Sequence, residues 1–125
     1  MKEFRPRRDI PRRVVVTGMS GITSLGQDWA SIEANIRAGR NGIRTMDDWA
    51  AIEGLLTHLA GPIPDFSKPA HYSRKQTRSM GRVALMATRS AEVALADAGL
   101  LGDPCITDGR MGAAYGSCNG STEAT

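Results

Sequence analysis

Arg12-Arg13-Val14-Val15-Val16-Thr17-Gly18-Met19-Ser20-Gly21-Ile22-Thr23-Ser24-Leu25-Gly26 decides how the rest of the chain is read. Three successive β-branched valines with no polar alternation suit a strand covered on both faces, as in a parallel central sheet. Gly18, Gly21 and Gly26 then loosen the backbone. Asp28 can cap a helix running to about Ala38, with Trp29, Ile32 and Ile36 spaced to share one face. Gly39, Asn41 and Gly42 stop it. The opening unit is therefore strand, glycine-rich turn, helix.

Downstream the pattern is first irregular and then strongly helical. Trp49, Ile52, Leu55, Leu56 and Leu59 can form one short amphipathic helix, after which Gly61-Pro62-Ile63-Pro64-Asp65 and Pro69 break regular structure. From Ser73 to Ala98 the spacing of Met80, Val83, Ala84, Ala87, Ala91, Ala94, Leu95 and Ala98 predicts a long helix with a continuous apolar stripe. Its alanines predict close approach to a neighbouring element, and Gly99 is placed for a left-handed stop. Arg110-Met111-Gly112-Ala113-Ala114-Tyr115 reads as a second buried strand, leading into the small-residue turn Gly116-Ser117-Cys118-Asn119-Gly120-Ser121. The order strand, helix, excursion, helix, strand points to an α/β layered fold.

The chain has 125 residues, 41% of them hydrophobic and 23% charged, which fits one domain of ordinary globular composition. Its net charge of +3 resides in a basic tail: residues 1–13 hold six basic side chains against two acidic ones, whereas the remainder holds ten against eleven. Phe4 is the only aromatic residue in that tail, which argues against single-strand nucleic-acid binding. No apolar h-region or membrane-length run is present. Cys105 and Cys118 have no CxxC or zinc spacing, so a reduced cytoplasmic setting is the simplest expectation.

A dinucleotide fingerprint requires glycine at position 20, where Ser20 stands. Cys118 lies in a turn that could hold a nucleophile, but no activating base is evident, so a buried, inert thiol is expected. His71 reads as a turn residue and His58 as a partly buried helix residue, without metal-ligand spacing. More telling is the absence of any acidic residue between Asp65 and Glu92, a gap holding Lys68, Arg74, Lys75, Arg78, Arg82 and Arg89. On one continuous helix Arg74, Arg78 and Arg82 would stack on one face at its N-terminal end. Mutual repulsion and the helix dipole would each cost on the order of a few tenths of a kcal/mol there. A cost borne on the surface suggests an acidic partner; the alternative is a solvated basic face.

Three segments together resemble the N-terminal part of the β-ketoacyl-acyl-carrier-protein synthases, most closely the type II elongating enzymes. They are residues 12–18 with Thr23-Ser24-Leu25-Gly26, then Tyr72-Ser73-Arg74-Lys75-Gln76-Thr77-Arg78-Ser79-Met80 with the helix closing at Asp97-Ala98-Gly99-Leu100, and Gly112-Ala113-Ala114-Tyr115-Gly116-Ser117. The resemblance implies a thiolase fold built from two βαβαβαββ halves, with the alanine-rich helix buried. This chain would supply the opening elements of the first half: a basic tail over 1–11 and an incomplete ketosynthase domain over 12–125.

The resemblance further implies a cytoplasmic, homodimeric acyltransferase of fatty-acid or polyketide type. Its partner is acyl carrier protein, and it uses no cofactor, metal, nucleic acid or membrane. The family's catalytic cysteine and histidines have no counterpart here. Lys75 and Arg78, with Arg74 alongside, match the family's carrier-docking patch. Ser79 stands where a relative has a further lysine, which implies weaker docking or a shift of it toward Arg82. Asn119 matches the residue that gates the acyl-chain tunnel, and a polar amide there implies short, branched or functionalised primers. Rival readings are a non-catalytic ketosynthase-like partner and a free-standing carrier-binding module. The module would have to fold with unpaired strand edges, and association or poor folding of the isolated chain is expected instead.

Overall fold

The computed structural model describes residues 13–118. Helix α1 spans Trp29–Arg37, capped by Asp28, whose carboxylate accepts from the Ser31 backbone N–H at 2.8 Å and the Ser31 hydroxyl at 2.7 Å. These hydrogen bonds lower the Asp28 pKa below the usual carboxylate range. The helix ends with Gly39 N–H donating to Ile36 O and Arg40 N–H to Asn35 O, each at 3.0 Å, the paired closure of a helix stopping at glycine. Ile32, 6% exposed, faces inward, and the Asn35 amide ties α1 to Leu25 O in the preceding turn at 2.6 Å.

Residues 43–60 differ from the expected helix. Strands β1 (Arg44–Thr45) and β2 (Leu59–Ala60) pair antiparallel with Arg44 opposite Ala60 and Thr45 opposite Leu59. Between them Asp47–Ala51 forms one 3-10 stretch. The spacing of Trp49, Ile52 and Leu55 was helical, but Gly54 takes φ +79° and Ile52 is already extended, so the helix stops after about one turn. His58 consequently lies in a loop rather than a helix, its carbonyl accepting from Met46 N–H at 2.7 Å.

The long helix is also divided. Helix α2 covers only Arg74–Thr77, opened by a reciprocal cap in which the Ser73 hydroxyl accepts from Gln76 N–H and the Gln76 carboxamide accepts from Ser73 N–H. Met80 N–H closes a turn onto Thr77 O, Gly81 is extended, and α3 then runs Arg82–Asp97. Glycine is a poor helix interior residue, and here it serves as the N-cap of the second segment. At the far end Gly99 (φ +69°) donates to Ala96 O and Leu100 to Leu95 O, the expected left-handed stop. Asp103 then caps a short 3-10 turn, Pro104–Ile106.

The close approach read from the alanines is present. The backbone at Gly18 lies against the C-terminal end of α3, so near that an added Cβ would fall 2.6 Å from Ala98 N and 2.9 Å from Ala98 Cβ. One residue on, Met19 N–H donates to the Asp97 carboxylate at 3.0 Å, and Ser20 Oγ meets Ser90 Oγ at 3.0 Å. The glycine-rich turn thus runs back along α3, linking the first and second helical units.

Neither expected strand forms a ladder among the described residues. Val14, Val15 and Val16 are 94%, 71% and 80% exposed, and residues 111–117 are without regular structure. A parallel strand exists only through neighbours, and the described residues supply none for either segment. For the same reason α3 is half-buried at most, not enclosed, with the stretch around Gly18 covering part of its stripe. Ile32 and Phe66 are the buried apolar side chains among the described residues.

Candidate functional site

The basic residues singled out in the sequence fall into two groups. Arg74 and Lys75 lie in α2 and Arg78 is its C-cap; all three are exposed. No acidic side chain among the described residues pairs with any of them. Arg82 opens α3 after the break and therefore does not continue a single face from Arg74 and Arg78. Its guanidinium donates to Phe66 O at 3.4 Å and to Ile63 O, and lies 5.7 Å from the centroid of the Phe66 ring. The donors of Arg82 hold the proline-rich segment onto α3.

A second cluster lies beside the patch and was not legible as a unit. Glu92, in the middle of α3, accepts from Arg89 Nη1 at 2.6 Å, the Tyr72 hydroxyl at 2.8 Å and His71 Nε2 at 2.6 Å. The Arg89 hydrogen bond is the main influence holding the Glu92 carboxyl down to about 2, against the upward effect of burial, with Tyr72 and His71 assisting. Burial, then the hydrogen bond to Glu92, pushes the Tyr72 hydroxyl up to about 12. His71 and Tyr72 meet edge to face with ring centroids 4.7 Å apart. His71 is the turn residue expected, but its partner lies 21 positions away, which no local pattern reveals.

Other sequence candidates fall apart from this region. Cys118 is exposed rather than buried, because the segment carrying it joins no sheet among the described residues. Nothing among those residues hydrogen-bonds to its thiol. Cys105 is half-buried, and its hydrogen bond to Asp103 is the chief cause raising its thiol pKa, the opposite of nucleophile activation. No group of His, Cys, Asp or Glu among the described residues is placed to hold a metal. No helix among the described residues is long and apolar enough to cross a membrane. Asn119 lies outside the described residues.

A glycine turn presses onto an alanine-rich helix, and a capped basic turn leads into that helix. The family model described as "Beta-ketoacyl synthase, N-terminal domain" matches residues 11–125. This chain belongs to the β-ketoacyl synthase family, and its fold is part of that family's α/β thiolase-like domain. It is 34% identical over 110 residues to 3-oxoacyl-[acyl-carrier-protein] synthase 1 of Haemophilus influenzae, covering 88% of this chain and 26% of that protein. It is 34% identical over 119 residues to Nodulation protein E of Rhizobium meliloti, covering 91% and 28% respectively. The crystal structure of a β-ketoacyl synthase from Burkholderia phymatum matches with a TM-score of 0.76 and 58% identity, over 82% of this chain and 25% of that one. The chain spans about a quarter of the length of these relatives.

Proposed function

We propose that this chain contributes the N-terminal part of a type II elongating β-ketoacyl-acyl-carrier-protein synthase, and that its α2 region docks the carrier protein. In the reaction an acyl group passes to a cysteine thiol, malonyl-acyl carrier protein loses carbon dioxide, and the resulting carbanion attacks the acyl thioester. On this reading the nucleophile and the oxyanion-stabilising histidines lie outside these residues, and Cys118 is not the nucleophile. The complete protein is a cytoplasmic homodimer of fatty-acid or polyketide type and needs no metal or cofactor.

The observation that carries the docking role is the set Arg74, Lys75 and Arg78, exposed on and just after one capped turn with no acidic partner among the described residues. Arg82, four positions after Arg78, adds to the local positive charge. An acidic carrier protein is steered to such a face by long-range attraction. Raising ionic strength from about 0.1 M to 1 M shortens the screening length from roughly 10 to 3 Å. The KM for carrier-bound substrate in the full-length protein is expected to rise across that range, and a flat KM would count against electrostatic docking. The exposed valines at 14–16 weigh against a free-standing binding module.

Asn119 is the proposed gate of the acyl pocket. A carboxamide beside an alkyl chain is costly unless its hydrogen bonds are met, so short or functionalised primers are favoured. Asn119→Gly in the full-length protein is expected to lengthen the product profile. An unchanged profile would remove the residue from that role.

A further inference from the structure

We infer that Glu92 is a positioning residue for the basic face, fixing from α3 the direction in which Lys75 and Arg78 project; this rests on the docking role proposed for α2. Four residues cannot hold a helix by themselves, since nucleation alone is unfavourable. The orientation of α2 is therefore set by its flanks. On the C-terminal side the chain breaks at Gly81 before α3 begins, so that flank is a joint, not a continuous rod. The N-terminal flank is residues 68–73, and there the ties converge. Tyr72 N–H donates to Pro69 O at 3.0 Å, and Lys68 Nζ donates to Tyr72 O at 2.7 Å, closing the turn on itself. Two side chains of that turn, His71 and Tyr72, then reach the single carboxylate of Glu92. Tyr72 immediately precedes Ser73, the N-cap of α2, so anchoring it anchors the start of the helix.

Glu92 is suited to this task. Its side chain is 21% exposed against 57% for His71, so the anchor is the better-shielded partner. Arg89, one turn earlier on the same helix, supplies a third donor and compensates the charge. Without Glu92 the turn keeps its internal hydrogen bonds but loses its own tie to α3, leaving only the Arg82 contacts upstream at Ile63 and Phe66 among those described. Lys75 and Arg78 would then sample several directions, and a docking competence diluted to about a fifth raises the apparent dissociation constant about fivefold.

The test compares carrier KM in four full-length proteins: wild type, Glu92→Gln, the double reversal Lys75→Glu with Arg78→Glu, and all three substitutions together. The expected result is a KM about three- to tenfold higher for Glu92→Gln in the wild-type background, and no further rise in the reversed background, where there is no patch to orient. A folded Glu92→Gln protein with unchanged KM overturns the inference, and if the double reversal still raises KM the docking role survives it. An equal rise in both backgrounds also overturns it, because the effect would not pass through the patch. A double reversal without effect removes the docking role, and the inference with it. Should Glu92→Gln fail to fold, Tyr72→Phe takes its place in the cycle, deleting one hydroxyl from the same carboxylate. A purely structural role would lower the melting temperature and leave the KM of the folded protein where it was.

Discussion

Reversing Lys75 and Arg78 together to glutamate is expected to raise the KM for acyl carrier protein on the order of 10- to 30-fold at low ionic strength. An exposed charge pair contributes about 0.2–1 kcal/mol, and reversal replaces that attraction by a repulsion of similar size. Two such sites span roughly 0.8–4 kcal/mol, with the middle of that range near 1.5–2, and about 1.4 kcal/mol is tenfold in affinity. The effect should shrink as salt screens both the native attraction and the introduced repulsion. Both side chains are exposed and make no ion pair with the described residues, so unfolding free energy should stay within about 0.5 kcal/mol of wild type. The measurement is steady-state KM with carrier-bound substrate, alongside a thermal melt. A KM unchanged at low salt would exclude these two residues from docking.

Gly18→Ala is expected to destabilise the protein by about 1–3 kcal/mol, the range for forcing extra atoms into a packed contact. The new methyl would meet the backbone of α3 at Ala98 N, 2.6 Å away, and Ala98 Cβ at 2.9 Å. Neither is the end of a flexible side chain that could swing aside, so the glycine-rich turn would have to lift from the helix. That movement would stretch the hydrogen bonds from Met19 to Asp97 and between Ser20 and Ser90. Gly112→Ala is the comparison: among the described residues a Cβ there meets nothing within 4 Å. Denaturant midpoints of the two variants in the full-length protein decide the matter. Equal midpoints would mean the contact at Gly18 relaxes without cost.

Legibility in the sequence followed the range of the interactions. Asp28 as a cap, Gly39 and Gly99 as stops, and the Ser73–Gln76 region as a helix start depend on residues within five positions of one another, and each takes its expected place. The alanines of α3 announced a close neighbour, and Gly18 is that neighbour. The break between α2 and α3 was hidden because the apolar spacing continues across it, although Gly81 carried the local signal. The two strands were misjudged in a different sense: β-branched content expresses a preference, but hydrogen-bonded partners decide whether a strand exists.

The sequence by itself determined α1 with its caps, the start near Ser73 and the stop at Gly99 of the second helical region, the acid-free basic stretch and the family, because these are written in local spacing and in the ordered set of motifs. The tertiary structure alone decided which of the basic side chains is tied to the proline-rich segment. Arg82, itself exposed, donates to Ile63 O and Phe66 O, while Arg74, Lys75 and Arg78 pair with no acidic side chain among the described residues. It alone brought His71 and Tyr72 onto Glu92, about twenty positions away. A carboxylate satisfied by three donors gains its stability from their convergence in space, and no one-dimensional pattern encodes that convergence.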